Sequence, residues 1–227
     1  MRINKWIANA SSLSRRAADT AIANGRVWVN GKPAQPGQEV SDTDIILLAG
    51  RQLEAPRPTQ TVLFNKPVGY VVSRDGQGSQ TIYDLLPNEL RPLNPVGRLD
   101  KDSSGLLLLT SDGQLAQELT HPKYEKMKVY EIRLGRALPP LHRQMIAEKG
   151  IQLNDGLSKL ALERMHEGDD RHWRIRMHEG RNRQIRRTFA SLGYAISTLH
   201  RTHFGDYTLG DLASGAYRDI TSKNATH

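Results

Sequence analysis

The sequence predicts an α+β protein: a small α+β module followed by a larger domain built on a mixed, largely antiparallel sheet. Three observations carry this prediction. After Thr61, short strand-like and helical segments interleave irregularly, unlike the regular alternation of a doubly wound parallel sheet. Segments 158–166 and 172–178 are spaced as hairpin neighbours. The stretch RQLEAPRPTQ (51–60) has two prolines and no periodicity, and reads as a linker. The expected organisation is therefore a module over 1–50, a linker over 51–60, a main domain over 61–222 and a tail over 223–227. A chain of 227 residues has room for both units and a sizeable core.

The elements follow in order. Ile3 to Ala10 has the pattern of a short amphipathic helix. Ser14 can cap a second helix from Arg15 to Ala23, which Gly25 is placed to end. VWVNGKP then gives a β-branched strand and an Asn30-Gly31 turn, a strong hairpin signal, and Ile45 to Leu48 supply another strand. In the main domain TVLFNK, GLLLLT, KVYEIRL, KLALERM and WRIRMH read as strands, with helical segments near 81–86, 113–119, 139–148 and 182–192.

The composition is that of an ordinary soluble protein, with a formal charge of +8 and a pI near 9.8. The start, MRINKWIANA, lacks an apolar signal region, and no run approaches the length needed to span a bilayer, so a cytoplasmic protein without a membrane partner is expected. There is no cysteine, hence no disulfide or thiolate chemistry. The positive charge is concentrated. Residues 1–35 hold Arg2, Lys5, Arg15, Arg16, Arg26 and Lys32 against Asp19 alone, and residues 171–203 hold eight arginines against Glu179. Two basic segments suit a polyanion touched at two places, although each can equally be a solvated face. Arg15 and Arg16 fall in the first turn of a helix, where cations oppose the dipole and free N–H groups suit a phosphate.

Of the usual catalytic constellations, most are missing. His200 and His203 have no third ligand nearby in sequence, so no metal is expected. Gly76 and Gly78 do not form a dinucleotide fingerprint, and Ser103 and Ser104 lack a nucleophile elbow. A carboxylate remains. Asp100 lies in a polar turn before GLLLLT, where a buried strand would hold it rigidly at a cleft; it can equally cap a turn. Asp102 and Asp112 read as ordinary turn residues. A carboxylate among phosphates needs a positive neighbour to stay ionised. EGRNRQIRRTFASLG supplies one, because a helix from about Asn182 packs Ile185, Phe189 and Leu192 inward and leaves Arg183, Arg186 and Arg187 at its edges. Tyr130, two residues after Lys128 on a strand and so on its face, is either a core residue or a surface for an unstacked base.

The pattern MRINKWIA…SLSRRAADTAIANGRVWVNGK resembles the small RNA-binding module of ribosomal small-subunit protein four. NKPVGYV (65–71), PVGRLDKDSSGLLLLTSDG (95–113), HPKYEKMKVYEI (121–132), EGRNRQIRR (179–187) and LHRTHFGDYTLGDLASGAYRDI (199–220) occur in that order. Together they resemble the bacterial ribosomal-RNA pseudouridine synthases of the single-site branch, over almost the whole chain. Phe204 departs modestly, standing where family members often carry an aliphatic residue.

The resemblance implies the pseudouridine synthase fold and a cofactor-free isomerase that detaches uracil from C1′, turns it and rejoins it through C5. It implies Asp100 as the essential carboxylate, Tyr130 as the tyrosine against the target base, Arg186 as the arginine paired with the aspartate, and Leu199 as packing beside the flipped base. Expected RNA contacts are Arg15, Arg16, Arg26, Lys32, Arg98, Lys128, Arg181, Arg183 and Arg187. The expected partner is structured ribosomal RNA, of the large subunit rather than the small, bound by a monomer. A non-catalytic RNA-binding or ribosome-assembly protein explains the charge as well, but not the coexistence of Asp100, Tyr130 and Arg186. A nucleosidase or glycosidase would want a second acid, and Asp102 sits too close in sequence to oppose Asp100 easily.

Overall fold

The computed structural model describes residues 1–11, 13–56 and 58–221, in two compact units, Met1–Thr59 and a second beginning at Gln60. The expected tail at 223–227 lies outside the described residues.

In the first unit, helices α1 (Ile3–Ala10) and α2 (Arg15–Ala23) pack on a sheet of β1 (Val27–Val29), β2 (Lys32–Pro33), β3 (Ile46–Leu48) and β4 (Arg51–Gln52), ordered β2-β1-β3-β4. The Ser14 side chain accepts from the Ala17 N–H at 3.1 Å, capping α2 as its sequence predicts. Asn30 and Gly31 both take positive φ, 49° and 79°, the twist a two-residue hairpin needs. Ile3, Trp6, Ile7, Ile22, Val27 and Ile46 form the core, each side chain contributing about 2 kcal/mol of burial. One boundary moves. Arg51 and Gln52 pair with β3, and Leu53 packs partly buried against the core, so the start of the expected linker is part of the module's sheet.

The second unit is a mixed sheet. Its strands are β5 (Thr61–Lys66), β6 (Asn94–Val96), β7 (Ser104–Thr110), β8 (Lys128–Leu134), β11 (Ala161–Arg164), β12 (His172–Met177), β13 (Ile196–Phe204), β14 (Tyr207–Thr208) and β15 (Tyr217–Asp219); β9 (Ile151–Leu153) and β10 (Gly156–Ser158) form a separate hairpin. The path runs β11-β12-β8-β13-β7-β5-β15, with β6 on β7 and β14 on β13. Every pairing is antiparallel except β13 with β7, as the sequence predicts for a mixed, largely antiparallel sheet.

The leucine run is buried on both faces. Leu107 and Leu109 join Val62, Phe64, Tyr130 and Ile132 in one cluster. Leu106 and Leu108 join Leu63, Val96 and Phe204 in the other, which α3 (Gly113–Thr120) covers through Leu119. Asp112, expected to be a plain turn residue, is the cap of α3 and accepts from the N–H groups of Gln114 and Leu115. Helix α4 (Pro140–Gln144) runs into a wider π-type turn at Met145–Lys149. Helix α5 (Gln184–Ala190) is shorter than the expected 182–192, because Arg183 adopts a left-handed φ of 46° and starts the helix late. Ile185 and Phe189 still point into the first cluster.

Candidate active site

The site is built on the loop that leads into β7. A carbonyl turn closes it, with Ser103 N–H donating to Asp100 O at 3.1 Å. Beneath it lies Lys66, wholly buried at the end of β5. Its ammonium donates to the carbonyls of Pro67 at 2.9 Å, Asp100 at 3.1 Å and Ser103 at 2.7 Å. Three donors meet three acceptors, so the buried charge is fully hydrogen-bonded. Burial pulls the Lys66 pKa down from 10.5 to about 8, against the pull of Asp100 and Asp102. The loop thus owes its shape to a lysine that the sequence reading gave no role. The available signal was a charge inside an otherwise apolar strand, TVLFNK.

Above the turn, Asp100 keeps 29% of its side chain accessible, and its Oδ2 lies 3.4 Å from Arg183 Nη1. Arg186, expected to pair with Asp100, feels its charge, but its direct contacts lie on the neighbouring residues of the turn. Arg186 instead donates to the Asp102 carbonyl at 2.7 Å, the Ser103 hydroxyl at 3.3 Å and the Ile196 carbonyl at 3.2 Å, and its Nε lies 3.2 Å from Asp102 Oδ2. Arg183 is the arginine beside Asp100, and it also grips Asp102 with both Nη atoms, at 3.1 and 3.0 Å. The reason is local. The left-handed Arg183 places its guanidinium outside the first helical turn, whereas Arg186, within α5, sits low against the loop backbone. Asp102 is therefore no idle turn residue. The Arg183 hydrogen bonds hold its carboxyl below the usual range, and Asp102 in turn raises Arg183. Burial lowers Arg186, opposed by Asp102.

Tyr130, on β8, is 8% exposed and packs in the same cluster as Leu99 and Leu199. Its hydroxyl makes no hydrogen bond among the described residues, whereas buried tyrosines usually find a partner. β8 and β7 both flank β13, with Arg201 opposite Tyr130 on one side and Gly105 on the other. Leu199 is buried on β13. Lys128 and Tyr130 share a face of β8 as expected, opposite Met177 and Ile175 of β12 in unbroken register, but the end of the lysine side chain turns away. The Lys128 ammonium donates to the carbonyls of Lys126 and His178 and lies 5.4 Å from the Phe204 ring, which belongs to the opposite cluster.

Two further candidates are engaged elsewhere. Arg181 donates to Asp155 and to the Leu157 carbonyl, and Arg187 to Asn154, Asp155 and the Asn182 carbonyl, so both clamp the β9–β10 turn. Arg98, Arg15, Arg16, Arg26 and Lys32 are exposed, and their side chains make no hydrogen bond or ion pair among the described residues. The His200 and His203 Nδ1 atoms lie at hydrogen-bond distance from the hydroxyls of Ser104 and Thr202, 2.9 and 2.8 Å.

A partly accessible carboxylate on a rigid turn, edged by arginines, can stabilise positive charge on a sugar or attack it. A family model described as RNA pseudouridylate synthase matches residues 60–191, and an S4 domain model matches residues 1–46. The chain is 36% identical to the ribosomal large subunit pseudouridine synthase B of Bacillus subtilis (strain 168), over 97% of this chain and 92% of that protein. It is 34% identical to the ribosomal small subunit pseudouridine synthase A of Pasteurella multocida (strain Pm70), over 98% and 97%. A relative named for the large subunit in Xylella fastidiosa (strain 9a5c) is 38% identical over 92% of this chain, which spans only 46% of that longer protein. A solved structure titled as a pseudouridylate synthase superposes with a TM-score of 0.69 at 33% identity, covering 99% of this chain and 97% of that one. The chain belongs to the RNA pseudouridylate synthase family and carries an S4 domain ahead of its catalytic unit.

Proposed function

We propose that the chain isomerises a uridine of ribosomal RNA, in the large subunit, to pseudouridine, with Asp100 as the essential carboxylate. The observation that carries this reading is Asp100 itself: a partly accessible carboxylate on a turn fixed by Lys66, 3.4 Å from a guanidinium. The names of the Bacillus and Xylella relatives support ribosomal RNA and favour the large subunit; the Pasteurella relative is named for the small one.

In the reaction the N1–C1′ bond breaks and a C1′–C5 bond forms. The C5 proton leaves and N1 takes one, so atoms and electrons balance without redox change. Cleavage develops positive charge on the ribose, as in glycoside hydrolysis. Asp100 answers that charge by stabilising it, adding to C1′, or removing a ribose proton to give a glycal. Tyr130 and Leu199 form the wall against which the freed base turns, and exclusion of water there keeps the base for recombination. The Tyr130 hydroxyl, without a hydrogen-bond partner among the described residues, is the candidate to receive the C5 proton. Target uridines flip out of their stack to reach such a site, and the S4 module and Arg98 contact phosphates.

The test is Asp100→Asn, assayed on ribosomal RNA. Pseudouridine formation falls below detection while RNA binding persists, and mapping in cells lacking the gene shows one large-subunit uridine unmodified. Turnover within a few-fold of wild type would remove Asp100 from the chemistry. A missing modification in the small subunit would reverse the subunit assignment.

A further inference from the structure

We propose that Asp102 is a positioning residue that engages the fork of Arg183 and limits it to a one-pronged contact with Asp100, keeping the catalytic carboxylate open to the ribose. The inference rests on the reading of Asp100 as the reacting group.

The geometry is asymmetric. Arg183 presents both Nη atoms to the two Asp102 oxygens, at 3.1 and 3.0 Å, the bidentate arrangement that suits a guanidinium fork. Toward Asp100 it offers one nitrogen, at 3.4 Å. Asp100 thereby receives a positive neighbour without being sheathed. One guanidinium cannot form the two-pronged pair with both carboxylates at once. Without the Asp102 carboxylate, the fork is free to close on Asp100, occupying the oxygens that must face C1′. Arg183 is the movable member of the set, since 44% of its side chain is accessible, against 13% for Arg186. Arg186 is tied to backbone carbonyls of Asp102 and Ile196 and keeps them whatever side chain stands at position 102. Lys66 faces the turn from below and its three hydrogen bonds all go to carbonyls, so it cannot replace Asp102. A turn residue two positions from the aspartate thus determines where an arginine on another element rests.

Suppression separates this role from a merely structural one. Single-turnover rates at saturating RNA are measured for Asp102→Ala, Asp102→Ala/Arg183→Ala and Asp100→Asn, with RNA affinity and thermal unfolding recorded for each. Asp102→Ala slows the chemical step by about tenfold, with RNA affinity little changed. Removing Arg183 as well returns part of that loss, because the group that closes on Asp100 is gone, while the positive neighbour it supplied is lost with it. A double variant as slow as Asp102→Ala, or slower, overturns the proposal while leaving Asp100 in place. An active Asp100→Asn overturns the underlying reading instead. Should Asp102→Ala unfold, Asp102→Asn serves in its place: its amide weakens the hold on Arg183, and the same rescue decides.

Discussion

At the scale of the residue, Lys66 shows how a buried charge can serve the chemistry at a cost to stability. Moving its pKa from 10.5 to about 8 corresponds to about 3 kcal/mol against the folded, protonated form. Between those two values the unfolded chain binds more protons than the folded one, so this lysine's contribution to stability rises with pH from about 8 to 10.5. The compensation is the turn itself, since the Pro67 and Ser103 carbonyls would otherwise lose their lysine donor, at about 1–3 kcal/mol each, and the Asp100 carbonyl would keep only the Ser103 N–H. In Lys66→Met the titrating group is gone and the carbonyls lose that donor. Urea unfolding between pH 7.5 and 10 is expected to show the variant falling further behind wild type as pH rises. Isomerisation should drop by about tenfold or more with RNA binding retained, because the turn carrying Asp100 loosens. A stability difference that stays flat over that window would refute the depressed pKa.

At the scale of the element, the site depends on β7 and β13 lying parallel and very close. Gly105 has a φ of +105°, and a Cβ there would meet the Arg201 carbonyl oxygen at 2.3 Å and its nitrogen at 2.6 Å. Both atoms are backbone and cannot give way. Gly105→Ala is therefore expected to cost more than about 3 kcal/mol or to prevent soluble folding, read by thermal denaturation; a loss under about 1 kcal/mol would show that the strands can separate cheaply. This pairing was not legible in the sequence. GLLLLT announces a buried strand through composition, but ISTLHRTHF has few apolar residues and no simple alternation, so β13 does not declare itself. It is fixed by its two long-range neighbours, β8 and β7. The β9–β10 hairpin was equally silent, its turn held by Arg181 and Arg187 from α5 and the segment before it. Helices α1 and α2 were readable to the residue because caps and amphipathic spacing are local signals. Asp100 and Tyr130 were singled out by residue type and setting and then by motif resemblance, Leu199 by resemblance alone. Which arginine stands beside Asp100 was not, because one left-handed residue, Arg183, decides it.

At the scale of the whole molecule, a formal charge of +8 gains meaning from which cations are already paired. In the catalytic unit many arginines of the 171–203 segment are internally engaged: Arg174 and Arg176 with Glu163, Arg181 and Arg187 with Asp155, Arg183 and Arg186 with Asp102. In the S4 module the side chains of Arg15, Arg16, Arg26 and Lys32 make no hydrogen bond or ion pair among the described residues, and Arg15 and Arg16 stand at the start of α2, where the helix dipole adds to their field. The count of arginines overstates the electrostatic reach of the second basic segment and understates that of the first. Phosphate contacts release counterions, so each one adds about 0.7–0.9 to the slope of log K against log salt. If Arg15 and Arg16 each meet a phosphate, replacing both with alanine lowers that slope by about 1.4–1.8. The affinity loss is then largest at low salt and shrinks as salt rises, because the lost contacts are the salt-sensitive ones. Catalysis at saturating RNA stays near wild type, and turnover slows only when RNA is scarce. Filter-binding titrations over a range of salt, beside single-turnover rates, read both quantities. An unchanged slope would mean that the module grips this RNA through other groups, and a lower rate at saturation would mean that these arginines also help to orient the target uridine.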